Sequence, residues 1–304
     1  RAHKLLMESI MENFNTLGLR PELLRALAAL NFTTPTPIQA EAIPAALAGH
    51  DIMGTAQTGT GKTGAFGIPL ISHLLNHPQD TALVMTPTRE LATQVLDQLQ
   101  KMLGAGSTIR TALLIGGAPM GKQMEQLRRS PRLIVGTPGR INDHLQRRSV
   151  KLAATRFLVL DETDRMLDMG FSVQIDEIFK LVRDERQMLM FSATFADRVL
   201  TLAESMTKNP ERVALQTEQT TNADIEQTLH WTDGFEHKKK LLSHWLSDEG
   251  VDQAVVFAST QEDTDMLAEE LAEAGHSVVA LHGAMPQTVR NRRLRSIREG
   301  RAKI

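Results

Sequence analysis

The sequence contains no cysteine and no tyrosine, and aromatic residues make up only 4% of its 304 positions. A chain without cysteine has neither disulfide bonds nor a thiolate metal site, which is compatible with the reducing cytoplasm, the location we expect. Because aromatic side chains are so few, we do not expect stacking on bases to dominate any binding of nucleic acid.

Long apolar runs and a strong charge imbalance are also missing. No stretch of 18 consecutive apolar residues occurs, so we expect no membrane-spanning helix, and the first residues lack the apolar segment of a secretory signal. The net charge is only −2. Any nucleic-acid binding must therefore come from a local basic face and from backbone donors. The hydrophobic content of 41% is sufficient for a buried core.

A glycine-rich turn lies between an apolar segment and a helical segment. It reads Ala56-Gln57-Thr58-Gly59-Thr60-Gly61-Lys62-Thr63. Glycines allow successive backbone N–H groups to point at an anion, Lys62 can reach β- and γ-phosphates, and the Thr63 hydroxyl can ligate Mg²⁺. Ala56 stands where such loops usually have their first glycine. The strand–turn–helix context predicts a phosphate-binding loop rather than an ordinary turn.

Five short apolar segments alternate with helical patterns after this loop. They cover residues 82–85, 111–115, 133–136, 157–160 and 188–191. Near-continuous apolar strands separated by helices are typical of an α/β fold with a parallel sheet that is covered on both faces. A polar cluster follows each segment, and ligands of such sheets bind at the carboxyl ends of the strands. We therefore expect the polar clusters to meet at one edge of the sheet.

The segment 157–160 is followed by two acidic residues, Asp161 and Glu162. An acidic residue at the end of a buried strand can hold Mg²⁺, and a neighbouring carboxylate can orient or deprotonate an attacking water molecule. The alternative is a solvated acidic helix cap. Together with the phosphate-binding loop, the pair predicts the second half of a nucleotide site.

Residues 31–39 contain two prolines, Pro35 and Pro37, which predict a rigid extended loop. We expect the next helix to begin at Gln39. The amide of Gln39 offers a donor and an acceptor together, as recognition of an adenine edge requires. The alternative is an ordinary polar residue in a first helical turn.

The chain changes character near residue 216. Residues 216–226 are polar and rich in threonine and predict a linker between a first lobe, 1–215, and a second lobe, 227–304. In the second lobe we expect strands at 253–258 and 277–281, helices at 261–274 and 286–299, and the start of a strand at 302–304. Because this is little for a closed core, we expect the second lobe to be incomplete.

Taken together, these motifs resemble those of the DEAD-box family of ATP-dependent RNA helicases, within helicase superfamily 2. The matching elements are Phe14 with 31–39 (the Q motif), 56–63 (motif I), 87–91 (Ia), 137–140 (Ib), 161–164 (II), 192–194 (III), 255–260 (IV), and Gln287 with Arg290. The resemblance implies two RecA-like parallel-sheet lobes of the P-loop NTPase fold, which close on ATP-Mg²⁺ and single-stranded RNA.

The resemblance also implies a role for each matching residue. It assigns adenine to Phe14 and Gln39; phosphates and Mg²⁺ to Thr58, Gly59, Thr60, Gly61, Lys62 and Thr63; Mg²⁺ to Asp161; and the attacking water to Glu162. It assigns coupling of hydrolysis to RNA to Ser192 and Thr194, and the RNA backbone to Thr88, Arg89, Gly117, Thr137 and Arg140. Such hydroxyl, backbone N–H and arginine donors suit phosphates, so we expect RNA binding that is independent of base sequence.

Three departures from the family pattern stand out. Asn31 replaces the glycine that opens the Q motif, and Thr163 replaces the alanine of Asp-Glu-Ala-Asp. We expect the Thr163 hydroxyl to change the contact between motifs II and III. The motif that supplies the arginine fingers lies beyond residue 304, so we expect this chain to bind ATP-Mg²⁺ but to hydrolyse it poorly.

Two other functions fit parts of the pattern. An ATP-gated RNA clamp that does not unwind duplexes would use the same residues. A different P-loop enzyme, such as a small-molecule kinase, would share the phosphate-binding loop but not the Pro-Thr-Arg-Glu-Leu element at 87–91. The sequence favours the helicase over the kinase, but it does not exclude the clamp.

Overall fold

The computed structural model describes residues 13–57, 59–214, 225–248 and 250–304. The chain divides into two units at residues 217 and 218. This division falls inside the predicted linker, most of which lies outside the described residues. The lobe bounds 1–215 and 227–304 stay predictions.

The first unit is built on a sheet of seven strands that pair in parallel throughout. The strands are β1 (Ile52–Thr55), β2 (Thr81–Met85), β3 (Thr111–Leu114), β4 (Leu133–Gly136), β5 (Thr155–Leu160), β6 (Gln187–Ser192) and β7 (Glu211–Ala214). Their order across the sheet is β3-β4-β2-β5-β6-β1-β7. The α/β fold with a parallel sheet is therefore confirmed.

Helices connect these strands and cover the sheet. They are α1 (Pro21–Ala29), α2 (Pro37–Leu47), α3 (Lys62–Asn76), α4 (Arg89–Leu103), α5 (Met120–Arg128), α6 (Pro138–Gln146), α7 (Thr163–Asp168), α8 (Ser172–Phe179) and α9 (Asp197–Met206), and a short 3₁₀ turn covers Phe14–Leu17. Among the described residues, no helix has both the length and the apolar character needed to cross a membrane.

The core lies on both faces of the sheet, as the apolar strands predict. In β5, Phe157 and Val159 belong to the core on one face, and Leu158 and Leu160 belong to the core on the other. All four side chains are fully buried. Since successive residues of a strand point to opposite faces, a strand that is covered on both sides must be apolar at every position.

The seventh strand, β7, was not predicted from the sequence. Val213 is its buried residue, and its three other residues are exposed, so β7 lacks an apolar run. The carboxylate of Asp51, which is 7% exposed, holds this side of the sheet together. It accepts hydrogen bonds from the backbone N–H of Met188, in β6, at 2.8 Å and from that of Lys208, three residues before β7, at 2.7 Å.

The second unit contains the helices α10 (Phe235–Leu246), α11 (Gln261–Glu273) and α12 (Gln287–Arg298). The helices predicted at 261–274 and 286–299 are present, to within one residue at each end. The strands predicted at 253–258, 277–281 and 302–304 are not assigned as strands.

These three segments nevertheless lie side by side. Ala254 N–H donates to the Lys303 carbonyl at 2.9 Å, and the Ser277 carbonyl accepts from both Lys303 and Ile304. Two donors on one carbonyl depart from the regular hydrogen bonding of a strand ladder. Apolar side chains of these segments line a cavity of about 360 Å³.

Gly136, the last residue of β4, tests how closely the strands of the sheet pack. A Cβ atom at this position would overlap the backbone oxygen of Leu114 in β3. We expect Gly136→Ala to lower the free energy of unfolding by about 2–3 kcal/mol, because a strand backbone cannot yield as a side chain can. Urea denaturation measures the difference.

The matched control is Gly121→Ala, in α5, where a Cβ atom would meet nothing within 4 Å. We expect this change to be neutral or to stabilise by up to about 1 kcal/mol, since alanine favours helices. Equal effects of the two substitutions would contradict the packing described for β3 and β4.

Candidate functional site

The strand order sorts the polar clusters at the carboxyl edge of the sheet into two groups. β5, β6 and β1 are neighbours, and they precede the acidic pair, the 192–194 segment and the glycine-rich loop. β3, β4 and β2 are also neighbours, and they precede Gly117, Thr137 and Thr88. The sequence predicted one common edge. The structure divides this edge into two adjacent halves.

The glycine-rich loop ends where α3 begins, so that the N-terminal N–H groups of a 15-residue helix face the loop. Gly59 and Gly61 have positive φ, and a Cβ atom on Gly61 would come within 2.7 Å of Thr36 and 2.8 Å of Gln39. The Thr60 hydroxyl donates to the Gln57 carbonyl at 2.8 Å. Thr58 lies outside the described residues. This arrangement provides an anion-binding helix terminus.

Lys62 and Asp161 meet across the sheet. Lys62 begins α3, at the end of the loop that follows β1, and Asp161 follows β5; β6 lies between these two strands. Lys62 Nζ lies 3.3 Å from Asp161 Oδ1, and the two side chains are only 7% and 3% exposed. The sequence placed both residues at the site, and the structure shows them as a buried ion pair.

The environment of Asp161 suits a metal ion. Burial raises the pKa of its carboxyl group, and the Lys62 ammonium group partly opposes this rise. Oδ1 is buried and has no hydrogen-bond partner, because its contact with Lys62 lies outside hydrogen-bond geometry. A buried carboxylate oxygen without a hydrogen-bond donor is a ligand that Mg²⁺ can use, and the Thr63 hydroxyl lines the same cavity.

Glu162 follows at the N-cap of α7 and is 9% exposed. Its backbone is left-handed, with φ of 55° and ψ of 54°, which is unusual for a residue with a side chain. Its Oε2 atom lies 3.4 Å from Nη1 of Arg165. Glu162 and Asp161 both line the cavity above the loop. The strained turn therefore directs two successive carboxylates to one space.

Hydrogen bonds connect the segment after β5 to the segment after β6. Asp164 Oδ2 accepts from the backbone N–H of Thr194 at 3.2 Å and from its hydroxyl at 3.3 Å. The Asp164 backbone N–H donates to the Ser192 hydroxyl, which donates in turn to the Thr194 carbonyl at 2.6 Å. The resemblance assigns the coupling of ATP hydrolysis to RNA to Ser192 and Thr194. Both residues hydrogen-bond directly to Asp164, in the acidic segment.

Thr163 adds a bond of its own between the same strands. Its hydroxyl, fully buried, donates to the carbonyl of Phe191 at 3.2 Å. Phe191 is the residue before Ser192. An alanine at 163 could not make this bond, so the expected change in the contact between these motifs is present.

Gln39 lies at the third position of α2, which begins at Pro37 rather than at Gln39 as the sequence suggested. Its Oε1 accepts from the Thr36 backbone N–H at 3.0 Å, and its Nε2 donates to the Gly61 carbonyl at 3.0 Å. The Thr-x-x-Gln spacing is the sequence signal of such a helix start. The amide has one further N–H and one further lone pair, so it clamps the loop and retains capacity for a ligand.

The ring that reaches the cavity is Phe32, not Phe14. Phe14 is 4% exposed and packs edge-on against Phe32, with ring centroids 5.8 Å apart. Phe32 lines the cavity together with Leu30 and Gln39. Phe14 itself does not line the cavity but packs against the ring that does, so its contact with adenine stays a prediction. The sequence reading had passed over Phe32.

One cavity of about 550 Å³ collects these groups. Its walls include Gln39, Gly59, Gly61, Lys62, Thr63, Asp161 and Glu162 from the predicted set. Its far side is formed by α4, through Gln94, Gln98 and Met102 among others, for which the sequence gave no signal. The volume lies within the usual range of small-molecule sites.

The second half of the edge holds the residues predicted for RNA. The Thr88 hydroxyl caps α4 by accepting from Leu91 N–H at 3.2 Å, and the Arg89 guanidinium packs against Gly116. Gly117 is exposed, whereas Thr137 is 7% exposed, so less of Thr137 is open to a ligand.

A buried polar network supports the Gly116–Gly117 turn and was not predicted. Gln123 donates to the carbonyls of Ile115 at 2.9 Å and Ala118 at 3.3 Å, and Arg140 donates to the latter at 3.1 Å. Buried His144 lies 3.1 Å from Gln123 Oε1. Burial lowers the pKa of His144, which favours its neutral form. No local pattern marks such a network, because its members come from α5 and α6.

Comparisons with known families support the same division of the chain. The model of the DEAD/DEAH box helicase family matches residues 36–202. The model of the helicase conserved C-terminal domain matches residues 236–304.

Curated relatives resemble the chain over nearly its whole length. The DEAD-box ATP-dependent RNA helicase RhpA of Helicobacter pylori is 38% identical over 292 residues, which are 96% of this chain and 59% of the relative. The DEAD-box ATP-dependent RNA helicase CshA of Geobacillus kaustophilus is 40% identical over 296 residues, which are 97% of this chain and 63% of the relative. The chain therefore spans about three fifths of the length of these relatives.

Solved structures show the same fold. Dbp5 of S. cerevisiae bound to RNA and ADP BeF3 superposes with a TM-score of 0.85 at 31% identity, over 96% of this chain and 74% of that one. A DEAD box protein from the hyperthermophile Methanococcus jannaschii gives a TM-score of 0.63 at 33% identity, over 96% and 78%. The predicted fold of two RecA-like lobes is thereby confirmed.

The Thr163 hydroxyl can be tested by an almost isosteric change. We expect Thr163→Val to lower the free energy of unfolding by about 1–3 kcal/mol, because the Phe191 carbonyl loses its donor in a buried setting. Thr163→Ser, which keeps the hydroxyl, should cost clearly less. Denaturation of both variants in urea provides the measurement, and equal losses would show that the methyl group rather than the hydroxyl matters.

Proposed function

The chain belongs to the DEAD/DEAH box helicase family, and from this premise we propose that it is an ATP-dependent RNA helicase. It would bind ATP-Mg²⁺ and the RNA backbone and couple hydrolysis to local unwinding of a duplex. The observation that carries the proposal is the cavity in which Lys62, Asp161 and Glu162 converge next to the glycine-rich loop. The family match argues against the small-molecule kinase.

The triphosphate would lie on the N-terminus of α3, with Lys62 reaching its outer phosphates. Thr63 and Asp161 would hold Mg²⁺. Both residues line the cavity. Asp161 Oδ1 also fits the ion because it is buried and has no hydrogen-bond donor. When bound, Mg²⁺ neutralises charge on the phosphate oxygens. Glu162, from the same strained turn, would orient the attacking water or accept its proton.

The base would lie at the other end of the cavity, against Phe32. The remaining N–H and lone pair of Gln39 would face the adenine edge, where an amino donor stands beside a nitrogen acceptor. Gln39 also donates a hydrogen bond to the Gly61 carbonyl. A base that binds the remaining N–H and lone pair of Gln39 would therefore influence the position of the glycine-rich loop, on which the phosphates would lie. This links recognition of the base to the geometry of Lys62.

RNA would bind along the ends of β2, β3 and β4 through Thr88, Arg89, Gly117, Thr137 and Arg140. These groups contact phosphates rather than bases, so we expect binding to weaken with salt and to depend little on base sequence. A short route joins this half to the nucleotide half. The Asp161 backbone N–H donates to the Met85 carbonyl at 3.0 Å, three residues before Thr88. Ser192 and Thr194 hold the same acidic segment from the other side.

The proposed partner is RNA, as a single strand or a short duplex, and the cytoplasm remains the location we predict. We expect the full-length protein to separate a short RNA duplex with ATP and not without it, in a strand-displacement assay. RNA-stimulated hydrolysis without strand separation would contradict the helicase and indicate an ATP-gated clamp.

Glu162→Gln in the same protein should retain ATP affinity and lose turnover by at least about 100-fold, since the amide cannot act as a base. Lys62→Ala should instead weaken ATP binding, because it removes the charge on the outer phosphates. The control is Glu204→Gln, an exposed carboxylate of α9. Full turnover of Glu162→Gln would show that the role of Glu162 is misassigned.

We expect Phe32 to contact the nucleotide and Phe14 to support Phe32. We expect Phe32→Leu to weaken ATP binding by about tenfold with little change in stability, since it removes the ring at the cavity wall. Phe14→Leu should mainly lower the free energy of unfolding, by about 1 kcal/mol, because Phe14 is in the core. Nucleotide titrations and urea denaturation compare them, and the opposite pattern would restore the contact first assigned to Phe14.

A further inference from the structure

The end of α3 that lies away from the glycine-rich loop carries a cluster of metal-ligand side chains. His73 lies in the last turn of α3, His77 caps that helix, and Asp80 lies just before β2. One ligand atom from each of these residues lies within 4.8 Å of the other two. Over the ranges that the structure describes, no other group of three such residues was found at this spacing.

We propose that His73, His77 and Asp80 form a binding site for a divalent transition-metal ion of the Zn²⁺ type, separate from the nucleotide site. Two imidazoles and a carboxylate are ligands that Zn²⁺ accepts, with water in the fourth position, whereas Mg²⁺ prefers oxygen ligands. His73 lies eleven residues after Lys62, which is about 16 Å along the helix.

Hydrogen bonds already orient one of the imidazoles as a ligand. His77 Nδ1 lies 2.9 Å from the backbone carbonyl of His73. A carbonyl can only accept, so this nitrogen carries the proton, and Nε2 keeps its lone pair. Metal-bound histidines commonly donate their second ring N–H to a backbone carbonyl in this way.

The present spacing needs only a small adjustment to admit an ion. His73 Nε2 and Asp80 Oδ2 lie 2.9 Å apart and share a hydrogen bond. An ion that takes both atoms as ligands displaces this proton to the solvent, so that His73 binds it as a neutral imidazole and Asp80 as a carboxylate. Two ligand atoms of a tetrahedral Zn²⁺ ion, at bond lengths of about 2.0 Å, are about 3.3 Å apart. The imidazoles of His73 and His77 are stacked with centroids 4.3 Å apart and planes 25° from parallel, as expected for residues one helical turn apart.

The backbone that carries the ligands is fixed. Arg132 donates to the carbonyls of Leu74 at 2.8 Å, His77 at 2.6 Å and Asp80 at 3.0 Å, and Asp80 N–H donates to the His77 carbonyl at 3.1 Å. Such support keeps the ligands in place before an ion arrives and reduces the cost of binding.

Charges around the cluster act in both directions. The Arg132 guanidinium repels a cation, whereas the C-terminal end of α3 attracts one. The same open groove, of about 530 Å³, is lined by Asp184 and Glu185 and also by Arg156, Arg186 and Lys208, so it gives a cation little net attraction. We therefore expect moderate affinity, together with a preference for Zn²⁺ over Mg²⁺ that reflects ligand type.

The test is a titration of the full chain with Zn²⁺, without nucleotide or chelator, by calorimetry and by thermal unfolding. We expect one equivalent in the tightest class of sites and a rise in the melting temperature, since an ion that binds only the folded state stabilises it. His77→Ala and Asp80→Asn should each weaken this class by at least about tenfold. Circular dichroism shows whether each variant is folded, and both positions lie outside the core.

The control is His237→Ala, which removes an exposed imidazole that lies 3.4 Å from the Asp233 carboxylate. It should leave the tightest class unchanged, and Mg²⁺ at the same concentration should not raise the melting temperature through this cluster. Zn²⁺ affinity that is equal in His77→Ala, Asp80→Asn and the unchanged chain would overturn the proposal. Because no nucleotide or RNA is present, the outcome is independent of the helicase function.

Discussion

The functional half of the first unit depends on one buried ion pair, that of Lys62 and Asp161. Two charges held away from water are costly unless they are well paired, and this pair lacks hydrogen-bond geometry on Asp161 Oδ1. The pair therefore contributes little to the stability of the fold. In the proposed complex, the phosphates would be a stronger partner for Lys62, and Mg²⁺ would be a stronger partner for Asp161. The geometry of the pair is thus consistent with the proposed binding of a nucleotide and Mg²⁺.

β6 lies between β1 and β5, and its residues connect this site to other parts of the sheet edge. β6 ends at Ser192, and Thr194 follows two residues later. Both residues hold Asp164, which follows β5, by hydrogen bonds. On its other side, β5 is bonded to the end of β2 through Asp161 and Met85. Hydrogen bonds therefore connect the segment of the two carboxylates to the half of the edge that is proposed for RNA.

There is a physical reason why some strands and contacts were predicted from the sequence and others were not. Strands β2 to β6 were recognised because burial on both faces requires an apolar residue at every position, whereas β7 lies at the sheet edge and buries Val213 alone. The bond of Gln39 to Thr36 has a local signal in the Thr-x-x-Gln spacing, whereas its bond to Gly61, 22 residues away, could not be read from its neighbours. The resemblance named Phe14, whereas Phe32 is the ring that lines the cavity, because a motif records spacing and not which ring faces a cavity.

The sequence by itself determined the α/β class, the glycine-rich loop between a strand and a helix, the acidic pair and the family, because these depend on local backbone needs and on residue types at short spacing. Only the tertiary structure decided which strands are neighbours, and with them the separation of the edge into two halves, the network of Gln123 and His144, and the meeting of His73, His77 and Asp80. The reason is that local spacing constrains one element at a time. Strand order and contacts between elements follow from the packing of the whole core, and no short segment of the chain contains that information.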